Sequence, residues 1–199
     1  MTIVIGLTGG IASGKSLVST YLKEKGLPVI DADVVAHEVV APGQPLVKAL
    51  IKEFGEKIAE GDGINRQALG EIIFANPEKR QKLNSLMHPA IFAKMMMTLS
   101  DYQKQQEPIV ILDIPLLFES NRLELYDKIW VVAVDEETQK QRLMLRNDLT
   151  EQEAVQRITS QLPLAEKIQR ADTVIDNNGT PTATFEQVDV ALAAVVCDS

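Results

Sequence analysis

Gly9, Gly14, Lys15 and Ser16 are spaced G-x-x-x-x-G-K-S within GLTGGIASGKS, residues 6–16, and each residue type suits the holding of a polyphosphate. Glycines let the backbone curl until successive N–H groups converge on one concavity, and a helix starting at Lys15 adds the positive end of its dipole. Lys15 would reach the β- and γ-phosphates of a nucleotide as a point charge. The Ser16 hydroxyl would hold a magnesium ion bridging the same phosphates. An ordinary glycine-rich turn is the alternative. The flanks argue against it, since an apolar run precedes the pattern and an amphipathic one follows.

Asp31 and Asp33 end the segment LPVIDAD two residues apart, so they project from one face for as long as strand geometry persists. A carboxylate at that end of a strand can accept the proton of an attacking hydroxyl. It needs no raised pKa, because phosphoryl transfer rests mainly on positioning and charge stabilisation. Asp33 is the expected base, with Asp31 supporting geometry or a metal water; capping a helix that starts near Val34 is the other role open to one of them. Asp113 closes the apolar run IVILD and can hold magnesium through water. Arg142 and Arg146, four apart, share a helix face. They serve either a lid that closes over phosphates or surface ion pairs worth little. His88 has no nearby Cys, His or paired acid, so a helix-end or turn role is expected in place of metal binding. His37 is expected to be structural, and Cys197 is not expected to be a catalytic thiol.

These residues need a scaffold. Residues 1–8 read as a buried strand and 16–25 as a helix stopped by Gly26. Further β-rich runs are 27–33, 110–114, 129–134 and a short one at 173–175. Strands alternating with helices predict an α/β fold, a parallel sheet with helices on both faces and ligands at the carboxyl ends of its strands. Residues 34–106 are too long for a simple crossover. They read as an inserted helical lobe broken by APGQP, EGDG, ANPE and HPA. The methionines at 95–97 suit packing or a ligand wall, packing being favoured. Thr150 and Glu153 form a T-x-x-E capping box starting a helix to about 161, after a first helix at about 137–147.

The 199 residues, 45% apolar and 24% charged, allow one substantial core. One cysteine excludes an intrachain disulfide and suits a reducing cytoplasm. No signal-peptide pattern or membrane-length apolar run is expected to direct the chain elsewhere. A formal charge of −8 argues against nucleic acid as a partner. Residues 139–170 carry a net +2 against −10 for the remainder. That contrast suggests either a basic element for an anion or a solvated helix face.

The ordered segments GLTGGIASGKS, DAD at 31–33, GINR at 63–66, MHP at 87–89, LDIPLLFE at 112–119, QKQRLMLR at 139–146, RITSQ at 157–161 and ADTVIDNNG at 171–179 resemble the dephospho-coenzyme A kinase family of P-loop kinases over essentially the whole chain. The resemblance implies transfer of the ATP γ-phosphate to the 3′-hydroxyl of dephospho-coenzyme A, with Mg2+ accompanying ATP and no obligate protein partner evident. It implies a core (about 1–33, 107–136 and 171–199), an acceptor-binding lobe (about 34–106) and a lid (about 137–170). The nucleotide would meet Gly10, Ile11, Ala12, Ser13, Gly14, Lys15, Ser16 and Leu17, with Arg142 clamping phosphates and Asn177 to Gly179 bordering adenine. Thr8 would lie close to the reacting groups and Asp33 would be the base. Arg66 and His88 would belong to the acceptor side. Ala12 departs from a glycine common in the family, and it is expected to keep a backbone conformation open to ordinary residues.

Without the resemblance, the residues leave the acceptor open and a nucleoside or nucleotide kinase fits equally. A nucleotide-switched regulator fits less well, because no N-K-x-D guanine-reading sequence is present. A nucleic-acid-stimulated ATPase is disfavoured by the acidic balance.

Overall fold

The computed structural model describes residues 1–120 and 122–197. β1 (Ile3–Gly9) leads through a loop into α1 (Lys15–Glu24), and β2 (Val29–Asp31) passes directly into α2 (Ala32–Glu38). α3 (Pro45–Phe54), β3 (Ala59–Glu60), β4 (Gly63–Ile64), α4 (Arg66–Phe74) and α5 (Pro77–Lys104) follow. The chain continues through β5 (Ile109–Asp113), β6 (Lys128–Ala133), α6 (Glu136–Asn147), α7 (Glu151–Thr159), α8 (Leu164–Gln169), β7 (Thr173–Asp176) and α9 (Pro181–Cys197). Two compact units result, one formed by Met1–Val29 with the chain from Gln105 onward, the other by Ile30–Lys104.

The first unit is an α/β structure around strands in the order β5-β1-β6-β7, in which β1 pairs in parallel with β5 and β6, and β6 with β7. Side chains alternate across the sheet. Ile5, Leu7, Ile111, Trp130, Val132 and Ile175 pack with Val18 and Leu22 of α1 and Val188 of α9. Ile129 and Val131 turn to the opposite face, against Leu117, Phe118 and Ile168 of α8. Helices therefore cover both faces, as the strand and helix alternation predicts. Burying each Ile or Leu stabilises the unit by about 1.5–3 kcal/mol relative to exposure. The register sets Leu7 opposite Asp113 and Gly9 opposite Val132, which brings the carboxyl ends of β1, β5 and β6 together.

The second unit is mainly helical and corrects two expectations. The strand geometry expected through residue 33 ends at Asp31, because its carboxylate caps α2. EGDG does break the helical stretch, between α3 and α4, and does so as a hairpin: β3 and β4 pair antiparallel around it, Ala59 opposite Ile64, with Gly61 at φ 56° supplying the turn. HPA, by contrast, does not interrupt a helix, since Pro89 lies inside the 28-residue α5. Proline there removes one N–H bond and crowds the carbonyl of Ser85. The helix nevertheless persists where it packs against α2, α3 and α4. Of the three methionines, Met95 is buried and Met97 largely exposed, the pattern of one packed helix face.

Candidate active site

β1 ends at Gly9 and α1 begins at Lys15, leaving a loop whose first turn is closed by the Ser13 N–H donating to the Gly10 carbonyl at 3.1 Å. Gly14, at the N-cap of α1, has φ 88° and supplies no side-chain cap. The opening N–H groups of a helix lack partners within it, so those of Lys15 and Ser16, with the dipole, are available to an anion. Ala12 has φ 60°. This overturns the expectation of an ordinary conformation: Ala12 is the third residue of the turn closed by the Gly10 carbonyl and the Ser13 N–H, a place where positive φ occurs, and the plane before it is held from outside the loop as well.

Three side chains from distant sequence bond to the backbone of this loop. The Asn177 side-chain amide donates to the Ser13 carbonyl at 2.8 Å, while its oxygen accepts from the Thr184 hydroxyl at 2.9 Å. Gln139 Nε2 donates to the Ile11 carbonyl at 2.8 Å, and the Ile11 N–H donates to Gln161 Oε1 at 3.1 Å. The loop glycines are shaped by these neighbours. A Cβ on Gly10 would stand 2.6 Å from Gln139 Nε2, and one on Gly14 only 2.0 Å from Asn177 Nδ2. Asn177 is buried with both ends of its amide engaged, so the side chain braces the loop from within, whereas Gly179 is exposed.

Helix α6 delivers two of the groups. Its N-terminus is fixed by Asp135, whose carboxylate accepts the Thr138 N–H at 2.7 Å and the Thr138 hydroxyl at 2.8 Å. Those bonds hold the Asp135 pKa below its ordinary value. Gln139 and Arg142, three apart, then lie on one face, and Arg142 donates to the Asn177 carbonyl at 3.0 Å. Arg146 instead donates to Asn147 beside it. The capping box of α7 forms as the T-x-x-E spacing predicts. Much of the positive charge of 139–170 is paired internally: Lys140 with Glu137 and Glu151, Lys167 with Glu119, and Arg170 with Glu166.

Lys15 forms an ion pair with Asp113, as the β1/β5 register allows. Asp113 is 1% exposed, so its charge is held in a largely water-excluded place where pairing with a cation matters. The Thr8 side chain is buried and donates to the Pro115 carbonyl at 3.2 Å. Leu17 donates its N–H to the Gly14 carbonyl at 2.9 Å, inside the first turn of α1. Ser16, in that same turn, is exposed. Ser16 and Asp113 offer only oxygen donors, a set that fits a hard cation such as Mg2+. Among the described residues no three His, Cys, Asp or Glu side chains converge on a metal position. Such an ion would therefore rely on phosphate oxygens as well as these groups.

In the second unit, Asp31 accepts the N–H groups of Asp33 at 2.9 Å and Val34 at 3.3 Å. Asp33 is exposed in the first turn of α2 and does not share a strand face with Asp31. Arg66 opens α4, where Asn65 caps the helix by accepting the Ala68 N–H, and its guanidinium meets Nδ1 of His37. The structure thus gives His37 a specific partner. His88 is exposed within α5, neither at a helix end nor in a turn. Gln139 and Gln161 were not expected at the site. Their only sequence signal is position, at the first residue of QKQRLMLR and the last of RITSQ.

Comparison with known proteins gives a consistent result. A family model described as "CoaE: Dephospho-CoA kinase" matches residues 3–182. A dephospho-CoA kinase of Shouchella clausii is 50% identical over 190 residues, covering 95% of this chain and 96% of that protein. The crystal structure of TT1252 from Thermus thermophilus superposes with a TM-score of 0.81 at 33% identity, covering 97% of each chain. A dephospho-CoA kinase from Campylobacter jejuni gives 0.73 at 26% identity, over 98% of this chain and 97% of that one.

Proposed function

The chain belongs to the dephospho-CoA kinase family, and on that premise we propose that it transfers the γ-phosphoryl group of ATP to the 3′-hydroxyl of dephospho-coenzyme A. The observation that carries this reading is the braced phosphate loop with Lys15 and Asp113 at its rim. The loop N–H groups and the dipole of α1 would bind the phosphates. Lys15 would exchange Asp113 for the β- and γ-phosphates, and the free N–H groups of Arg142 would stabilise charge on the transferring group. Thr8, held by the Pro115 carbonyl, would keep the end of β1 in place near the reacting groups.

Asp33 would accept the proton of the acceptor hydroxyl. Capping by the Asp31 carboxylate supports this choice between the two acids. Arg66 and His88 would lie on the acceptor side, in a lobe at about 34–106, and the Asn177 to Gly179 turn would border adenine through its backbone. Ser16, and Asp113 through water, would hold Mg2+, which when bound supplies charge neutralisation between the phosphates. Residues 137–170 would act as a lid that excludes water, limiting hydrolysis of ATP before the acceptor arrives. We place the reaction in the cytoplasm, between two small molecules and without an obligate protein partner.

The test is ADP production by purified protein with ATP and Mg2+, with and without dephospho-coenzyme A, alongside the product mass. An acceptor-dependent rate and the mass gain of one phosphate are expected. Binding of ATP with no stimulation by this acceptor would overturn the assignment and favour a nucleoside or nucleotide acceptor. Rapid ATP hydrolysis without acceptor would refute the lid.

A further inference from the structure

Both backbone polar groups of Ile11 are held by glutamine side chains that come from different parts of the chain. A trans peptide directs its C=O and N–H to opposite sides, so each bond fixes a whole plane. Gln161 takes the N–H of the plane between Gly10 and Ile11, and at the other end of that plane the Gly10 carbonyl accepts the Ser13 N–H at 3.1 Å. Gln139 takes the carbonyl of the next plane, between Ile11 and Ala12. The plane beyond Ala12 is held by the same Ser13 N–H. Ala12 therefore sits between a plane anchored by Gln139 and one closed by the loop's own Gly10–Ser13 turn, at a left-handed φ of 60°. Left to itself, an alanine avoids that conformation by roughly 1–2 kcal/mol.

The two glutamines are themselves well placed. Gln139 is buried one turn into α6, its N–H bonded to the Asp135 carbonyl at 2.9 Å. Gln161 precedes Leu162, whose N–H donates to Glu119 Oε1 at 3.2 Å, and the fully buried Lys167 ammonium lies 3.1 Å from the same oxygen. That ammonium lies within ion-pair distance but without hydrogen-bond alignment, so its contribution is electrostatic. Glycine at position 10, which the loop pattern leaves free, is accounted for by Gln139: a Cβ would strike its amide nitrogen.

We propose that Gln139 and Gln161 are positioning residues that impose the nucleotide-binding shape of the loop through the backbone of Ile11. This rests on the reading that the loop binds a nucleotide, and the test is independent of any acceptor. Equilibrium binding of ADP with Mg2+ is compared for wild type, Q139E, Q161E, Q139M and Q161M, with the melting temperature of each free protein. The two roles are opposite in sense. Gln139 must donate, so glutamate there opposes the Ile11 carbonyl; Gln161 must accept, so glutamate there can still receive the N–H. Each glutamate adds one negative charge near the loop, and the difference between them reads hydrogen-bond direction.

Q139E and both methionine variants are expected to weaken ADP binding about tenfold, with Q161E within about threefold of wild type. Equal weakening by the two glutamates, or methionine variants that bind like wild type, would overturn the proposal. Gln139 is buried, so Q139M provides the reading at that position should Q139E fail to fold. Failure of the wild-type protein to bind ADP would instead reject the nucleotide reading on which the proposal stands.

Discussion

The side-chain amide of Asn177 donates to the Ser13 carbonyl at 2.8 Å, tying the turn after β7 to a loop 164 positions earlier. Asn177→Asp keeps an acceptor for Thr184 but turns a carboxylate oxygen toward the Ser13 carbonyl. The expected result in urea unfolding is a loss of about 1–3 kcal/mol, with weaker nucleotide binding. Unchanged stability and binding would mean that the loop keeps its shape without this brace.

Ala12 offers a test with the opposite sign. Glycine relieves the left-handed conformation, worth roughly 1–2 kcal/mol, but adds unfolded-state freedom worth about 0.4–1 kcal/mol. Ala12→Gly should therefore raise stability by up to about 1.6 kcal/mol, and Ala12→Val should lower it. Destabilisation by glycine would contradict the observed φ of 60°.

Asp33 and Asp31 should separate by function. Asp33→Asn should reduce turnover by about 10²–10⁴-fold, the span of general-base catalysis, with ATP affinity nearly unchanged. Asp31→Asn retains a good helix cap and should cost far less. Full phosphoryl transfer by Asp33→Asn, measured with saturating acceptor, would remove the base from this position.

The cap of α6 should be visible in acid. Backbone and hydroxyl donation from Thr138 holds the Asp135 pKa below its ordinary value of 3.8. A carboxylate whose pKa is lower in the folded state stabilises fully above the unfolded pKa and loses that contribution as pH falls through the folded one. Asp135→Asn keeps a cap that does not titrate. Its melting temperature should lie near wild type at neutral pH and fall less steeply below pH 3.8. Parallel melting curves across that range would show that Asp135 carries no linked stability.

Local patterns were readable where neighbouring residues carry the whole cause. The phosphate loop between an apolar strand and an amphipathic helix, the α7 capping box and the apolar strand ending at Asp113 all depend on chemistry within a few positions. Asp31 shows the limit of such reading. Spacing of two allowed a shared strand face or a cap, and the cap prevailed because the carboxylate meets two first-turn N–H groups. Pro89 shows it again, since an intrinsic helix breaker was overridden by packing of the surrounding helices.

By itself the sequence determined the loop's residue types, the helix starts and the alternating strands, because dihedral preference and apolar periodicity act over short distances. Only the tertiary structure decided how the loop is held. Gln139, Gln161 and Asn177 reach it across 128, 150 and 164 positions, and no local propensity encodes a hydrogen bond over such a separation. One of those bonds, from Gln139, joins the local Gly10–Ser13 turn in holding Ala12 left-handed against its own preference.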